Sequence, residues 1–192
     1  MGRIIAGRLA SRRIVYPSGG TTRPTTDRVR ESVFSLIAAH FLTADRPGSE
    51  QLAGLRFLDL FAGSGAVGLE AFSRGATVTW VEKDPLTVRI IRGNLTELSA
   101  EGEVVRGDVN RFLSRSGDPY DIVWLDPPYE TSPAEIGGLL DQLVANRWLR
   151  AGGVVLVERS RRTPGVEFPD GLVSADPRRY GDTTIYFATK GS

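Results

Sequence analysis

From Leu55 onward the sequence alternates short runs of β-branched and aromatic residues with amphipathic stretches, and four successive runs end at or near an acid: Asp59, Glu82, Asp108 and Asp126. This alternation predicts an α/β fold, a mostly parallel sheet with helices on both faces, because parallel neighbours need a long crossover between them. The expected strands lie at 57–61, 77–82, 104–108, within 120–129, and at 153–158, with two more at 173–175 and 184–188. Helices are expected over 68–73, from Asp84-Pro85 onward, and over 133–149. In such a sheet ligands bind beyond the carboxyl ends of the strands, where the four acids fall.

Composition narrows the chemistry further. The chain has 192 residues, 41% hydrophobic and 24% charged, as expected of one soluble domain with a substantial core. No apolar run approaches the ~18 residues of a membrane span, and the first residues lack a signal-peptide core, so a cytoplasmic location is expected. Cysteine is absent, which excludes disulfides, thiolate nucleophiles and cysteine-ligated clusters. His40 is the single histidine and sits in an apolar helical stretch, where a packing or surface role is expected. A zinc site or a Ser-His-Asp triad therefore has little material to work with, and no metal is expected.

The net charge of +1 conceals an uneven distribution. Residues 1–30 carry Arg3, Arg8, Arg12, Arg13, Arg23, Arg28 and Arg30 against Asp27 alone, a candidate polyanion contact. Residues 4–10 and 13–17 read as two short strands of a basic hairpin. Thr25 or Thr26 is placed to cap a helix over 27–42, whose apolar stripe is Val29, Val33, Leu36, Ile37 and Phe41, with Arg28 and Arg30 left outside. Residues 43–54 read as a polar linker. The expected organisation is a hairpin-and-helix extension over residues 1–42, packed on a main domain over 55–192.

Gly63-Ser64-Gly65-Ala66-Val67-Gly68 fits G-x-G-x-x-G between a strand and a helix, and Glu82 follows Gly63 by 19 residues, at the end of the next strand. Glycines there permit a tight turn and close approach of a ligand, and a carboxylate at that spacing suits ribose hydroxyls. A nicotinamide dinucleotide and S-adenosylmethionine both fit. Asp59 favours the second, because negative charge beside the loop gains nothing from a pyrophosphate but attracts a sulfonium and an ammonium. Asp108 suits an adenine amine, although taken alone it reads better as an exposed turn or a helix cap.

The run ending at Asp126 continues as Pro127-Pro128-Tyr129. The two prolines lack amide donors, so they end sheet pairing and stiffen the loop. A nucleobase amine is a weak nucleophile because its lone pair is delocalised into the ring. If Asp126 and the Pro127 carbonyl accept its two N–H hydrogens, the lone pair is turned toward a methyl donor, and Tyr129 stacks on the base. Pyrimidine C5 methylation, by contrast, lacks the thiolate it requires.

Asp126-Pro127-Pro128-Tyr129 together with Asp59-Leu60-Phe61-Ala62-Gly63-Ser64-Gly65 resembles the S-adenosylmethionine-dependent amino-methyltransferases. With Arg3-Ile4-Ile5-Ala6-Gly7 and Arg23-Pro24-Thr25-Thr26-Asp27-Arg28-Val29-Arg30-Glu31-Ser32-Val33-Phe34, the chain is similar over nearly its full length to the RsmD family. The resemblance implies a Rossmann-like class I methyltransferase fold with a seven-stranded sheet, its last strand antiparallel. It also implies S-adenosylmethionine held by Asp59, Phe61, Ala62, Gly63, Gly65, Gly68, Glu82 and Asp108, and catalysis by Asp126, Pro127 and Tyr129. The implied substrate is the N2 amine of a guanine in small-subunit ribosomal RNA, within an assembled or partly assembled small subunit, engaged by the arginine arm of a monomer. Two alternatives stay open: a DNA adenine-N6 methyltransferase, which shares the Asp-Pro-Pro-Tyr motif, and a non-catalytic RNA-binding assembly factor. The arm is arginine-rich where relatives often use lysine, which matters little for phosphate contact.

Overall fold

The computed structural model describes residues 2–17 and 25–191. The chain opens with two short antiparallel strands, β1 (Gly2–Arg3) and β2 (Arg13–Ile14), followed by helix α1 (Asp27–His40). Five parallel strands come next: β3 (Arg56–Leu60), β4 (Thr77–Glu82), β5 (Glu103–Arg106), β6 (Tyr120–Leu125) and β7 (Leu149–Ser160). The connecting helices are α2 (Ala66–Ser73), α3 (Pro85–Leu98), α4 (Val109–Leu113) and α5 (Pro133–Ala145). A final hairpin, β8 (Leu172–Tyr180) and β9 (Thr183–Lys190), completes a seven-stranded sheet in the order β5-β4-β3-β6-β7-β9-β8. The last strand, β9, runs antiparallel to both of its neighbours. This is the Rossmann-like arrangement that the resemblance implied.

Strand β6 sits near the middle of the sheet and is buried at every residue. Ile122 and Trp124 join the core shared with α1, α2 and α3, whereas Val123 and Leu125 join the core shared with α4 and α5. Packing on both faces is why this run is apolar without alternation. Two boundaries differ from expectation. Helix α5 stops at Ala145 rather than at residue 149, where Arg147 takes φ +60 and the Trp148 amide reaches back to the Leu143 carbonyl (3.0 Å). That turn frees Leu149 to pair with Tyr120, so β7 begins four residues early and absorbs Gly152-Gly153 at a register shift. Helix α4, with five residues, is too short to leave a periodic signal and was not expected from the sequence.

The amino-terminal segment departs most from its sequence reading. Instead of strands over 4–10 and 13–17, only two residues pair on each side, and residues 6–11 are turns and bends. Ile4, Ile14, Val29, Phe34 and Ile37 belong to the same core as Phe57 and Trp124. Residues 43–54 are no free linker either, since Thr43 and Leu52 are buried. The anchor is Glu70 on α2, fully buried, whose carboxylate accepts from the amides of Ile5 (2.7 Å) and Ala6 (3.0 Å) and pairs with Arg74 (2.9 Å). Asn94 on α3 clasps the second strand, accepting from the Val15 amide and donating to its carbonyl, each at 2.9 Å. His40, as expected, packs: it lies edge-on to Phe41 and Phe187 and bonds the Gly152 carbonyl (3.0 Å).

Replacing Glu70 by alanine leaves a buried guanidinium and two amides without partners, which should cost about 3–5 kcal/mol. Urea unfolding reads that loss. Amide exchange at Ile5 and Ala6 should accelerate more than exchange in β6; uniform acceleration would show that Glu70 does not anchor the arm specifically.

Candidate functional site

The carboxyl ends of β3, β4 and β6 open onto a cavity of about 510 Å³, within the range that holds small ligands. Asp59, Glu82, Asp108 and Asp126 all line it, together with Phe61, Ala62 and Gly63. Phe61 takes φ +61 directly after β3, a left-handed backbone uncommon for a bulky residue and characteristic of functional turns. The loop is cinched by two of the acids. Asp59 accepts from the Gly68 amide (2.9 Å), and Glu82 accepts from the Gly63 amide (3.0 Å) and the Asp84 amide (2.9 Å). Asp108 is exposed and caps α4 through the Arg111 amide (3.1 Å), so it is a helix cap that also faces the cavity.

Gly65 and Gly68, expected at the cofactor, stand behind the cavity's lining residues. Gly65 takes φ +78 at the start of α2, and its carbonyl accepts from the Trp80 indole (3.2 Å). At Gly68 a Cβ would overlap that indole, so this glycine serves helix–strand packing.

Asp126 lies at the cavity wall, and Pro127 behind it is buried. Tyr129 stands outside with 59% of its surface exposed. The loop is held at both ends. Arg159 on β7, 4% exposed, donates to the carbonyls of Pro128 (3.0 Å), Tyr129 (3.4 Å) and Thr131 (2.8 Å). Beyond it, Ser132 and Glu135 form a reciprocal cap that starts α5.

Burial and like charge load this corner. Burial pushes the Asp126 carboxyl well above the usual range, the Glu158 and Asp59 charges push it further, and the Arg159 guanidinium pulls it back. Burial also raises Asp59, against the Gly68 amide, and raises Glu158, which accepts from the Thr25 hydroxyl (2.6 Å). Glu158 and Arg159 escaped the sequence reading because charges at a strand end look like ordinary solvated residues; only the β6–β7 register brings them beside the loop. Trp124, Tyr16, Pro17 and Thr25 also line the cavity unforeseen. The buried Trp124 indole N–H has no acceptor among the described residues, an orphan donor at a ligand-sized space.

The arginines divide. Arg3, Arg8, Arg12, Arg13 and Arg28 are exposed, although Arg3 pairs with Asp27 (3.4 Å), Arg8 lies over the Phe72 ring and Arg12 bonds the Glu97 carbonyl. Arg30, expected outside, is buried at 1% exposure, bound to Asp27 (2.6 Å) and the Arg3 carbonyl (2.8 Å). It locks α1 to the hairpin and is removed from the candidate RNA contacts. Arg23 lies outside the described residues.

A family model described as "Conserved hypothetical protein 95" matches residues 2–189. A putative rRNA methyltransferase, YlbH, of Bacillus subtilis is 32% identical, with 95% of this chain and 96% of the relative covered. The ribosomal RNA small subunit methyltransferase D of Escherichia coli is 36% identical, covering 81% of this chain and 73% of the relative. Among solved structures, the putative methyltransferase YhhF of Escherichia coli superposes with a TM-score of 0.82 at 31% identity, over 98% of this chain and 97% of that one.

Asp59 yields a pH prediction. Its folded pKa lies above the unfolded value, so the folded state holds the proton to higher pH and stability declines as pH rises from the ordinary carboxylate range through the folded pKa. Asp59→Asn keeps an acceptor for the Gly68 amide and removes that titration. Thermal midpoints measured between about pH 4 and pH 8 should fall less steeply in the variant; an unchanged slope would assign the decline elsewhere.

Proposed function

The chain belongs to the RsmD family of ribosomal RNA small-subunit methyltransferases, and from that premise we propose that it methylates the exocyclic N2 amine of a guanine in small-subunit ribosomal RNA. The observation that carries this reading is the placement of Asp126 on the wall of the cavity bounded by the glycine loop and its acids, with an exposed aromatic ring at the loop's outer end. The cavity fits S-adenosylmethionine. Glu82 and Asp108 offer acceptors for ribose and adenine, Asp59 supplies negative charge beside the loop, and the orphan Trp124 N–H offers a donor. When bound, that cofactor supplies a methyl group on a positively charged sulfur, electrophilic without a metal.

The chain's own residues then act on the amine. The Asp126 carboxylate and the Pro127 carbonyl accept its two N–H hydrogens and orient the lone pair, and Tyr129 stacks on the base. A carboxylate with raised proton affinity is a suitable acceptor for the proton the amine must lose. Arg159 keeps the loop carbonyls fixed, so the acceptors are in position before the base arrives. The exposed arm arginines contact phosphates of RNA in an assembled or partly assembled small subunit, met by a monomer in the cytoplasm.

Undermethylated small subunits incubated with labelled cofactor should yield N2-methylguanosine on nucleoside mass analysis; label in N6-methyladenosine would overturn the reading. Asp126→Ala should lower turnover on the order of 10²–10⁴-fold, with cofactor affinity nearly unchanged, since its contacts are to the base. Glu158→Gln removes a charge that raises Asp126, so the acid limb of the pH–rate profile should move to lower pH. A limb that stays in place would detach that titration from the Asp126–Glu158 pair.

A further inference from the structure

We propose that the β7–β9–β8 half of the strand-end rim is a second RNA surface, on which Arg28, Arg161, Arg162, Arg178 and Arg179 hold backbone phosphates of the substrate. The proposal rests on the RNA reading above and extends it to residues outside the hairpin arm.

Topology brings the five together. β8 is antiparallel to β9, and β9 to β7, so β8 runs in the direction of β7 and delivers Arg178 and Arg179 at the same rim as the catalytic loop. Helix α1 runs opposite to β7. Thr25, just before its start, bonds Glu158 near the end of β7, and His40 at its last turn bonds Gly152 near the beginning. Arg28, in the first turn of α1, therefore stands at that rim too. Arg161 and Arg162 follow β7 directly, on a turn that is built rather than loose. The Arg161 amide donates to the Asp182 carbonyl (2.7 Å), and the Thr163 hydroxyl donates to the Ser160 carbonyl (2.7 Å). Between the first turn of α1 and the β8–β9 turn lies a cavity of about 370 Å³, whose lining includes Arg28, Arg179, Thr26, Thr183 and Asp182.

All five arginines are exposed, and none is ion-paired with a described residue. Arg159, on the same strand, differs: it is buried and its donors go to the catalytic loop. The hairpin arm occupies the other half of the molecule, bonded to α2 and α3 through Glu70, Asn94 and the Glu97 carbonyl. Exposed arginines thus stand on both halves of the molecule, and those of the β7–β9–β8 half lie at the rim that carries the catalytic loop. From β6 to β8 is three strand spacings, about 14 Å at ~4.8 Å each, so an RNA strand crossing Tyr129 reaches the second surface within a few nucleotides. Guanidinium groups suit such contacts because they bind phosphate bidentately and stay charged.

The test measures binding to undermethylated small subunits as a function of salt for R161Q/R162Q, R178Q/R179Q and a control, R46Q/R147Q, which removes the same charge from exposed positions beyond α1 and before β7, at the opposite end of the sheet. Each rim pair should weaken binding roughly tenfold and reduce the slope of log affinity against log salt by about 0.7 for each phosphate that is no longer neutralised. Cofactor affinity and thermal midpoint should stay at wild-type values. Unchanged affinity and slope in both rim pairs, or an equal loss in the control pair, would overturn the proposal. A wild-type protein that fails to methylate the subunits would instead refute the functional reading, so the two failures are distinguishable.

Discussion

Three carboxylates crowd one corner of the sheet: Asp59 on β3 and Glu158 on β7, both buried, and Asp126 after β6, half-buried at the cavity wall. Left alone, such a corner would expel or protonate its acids. The fold keeps it by surrounding the acids with fixed donors, the Gly68 amide for Asp59 and the Thr25 hydroxyl for Glu158, and by setting the Arg159 guanidinium where it lowers the proton affinity of Asp126. The same guanidinium pins three carbonyls of the loop that follows β6. One side chain therefore sets both the position of the loop and the charge of the group it presents, and most other features of the site serve to hold that corner in place.

The amino-terminal arm is one of those features. Ile4 and Ile14 share a core with Phe57 and Trp124, and Glu70 commits its whole carboxylate to the arm and to Arg74. Tyr16, Pro17 and Thr25 then help to wall the cavity. The arm completes the ligand space as well as carrying positive charge, so its arginines are presented from a fixed base.

Much of this was legible in the sequence, for reasons that can be named. Period and length give away buried parallel strands, and acids after successive strands fall on one rim whatever the details of packing, so Asp59, Glu82, Asp108 and Asp126 converge as expected. Arg30 shows where that logic stops. It shares a helical face with Phe34 and Ile37, which marks it as inward-facing, yet a guanidinium on a buried face makes sense only once Asp27 and the Arg3 carbonyl are placed around it. Glu158 and Arg159 were hidden for a related reason, because their neighbours come from β6 and from Thr25, distant in sequence. The glycine motif speaks of a ligand but not of packing, and the small size that Gly68 lends to the Trp80 indole is visible only in the fold.

The anchoring of the arm also bears on the order in which the molecule assembles. Ile5 waits for Glu70, Val15 for Asn94, and Thr25 for Glu158, separations of 65, 79 and 133 residues. Loops of that length close late, because chain entropy must be lost before the contact can form. The arm, made before the strands it binds, thus reaches its resting place only after β7 has been made and has docked. Until then its arginines are tethered but unplaced, and the cavity lacks the wall that Tyr16, Pro17 and Thr25 supply.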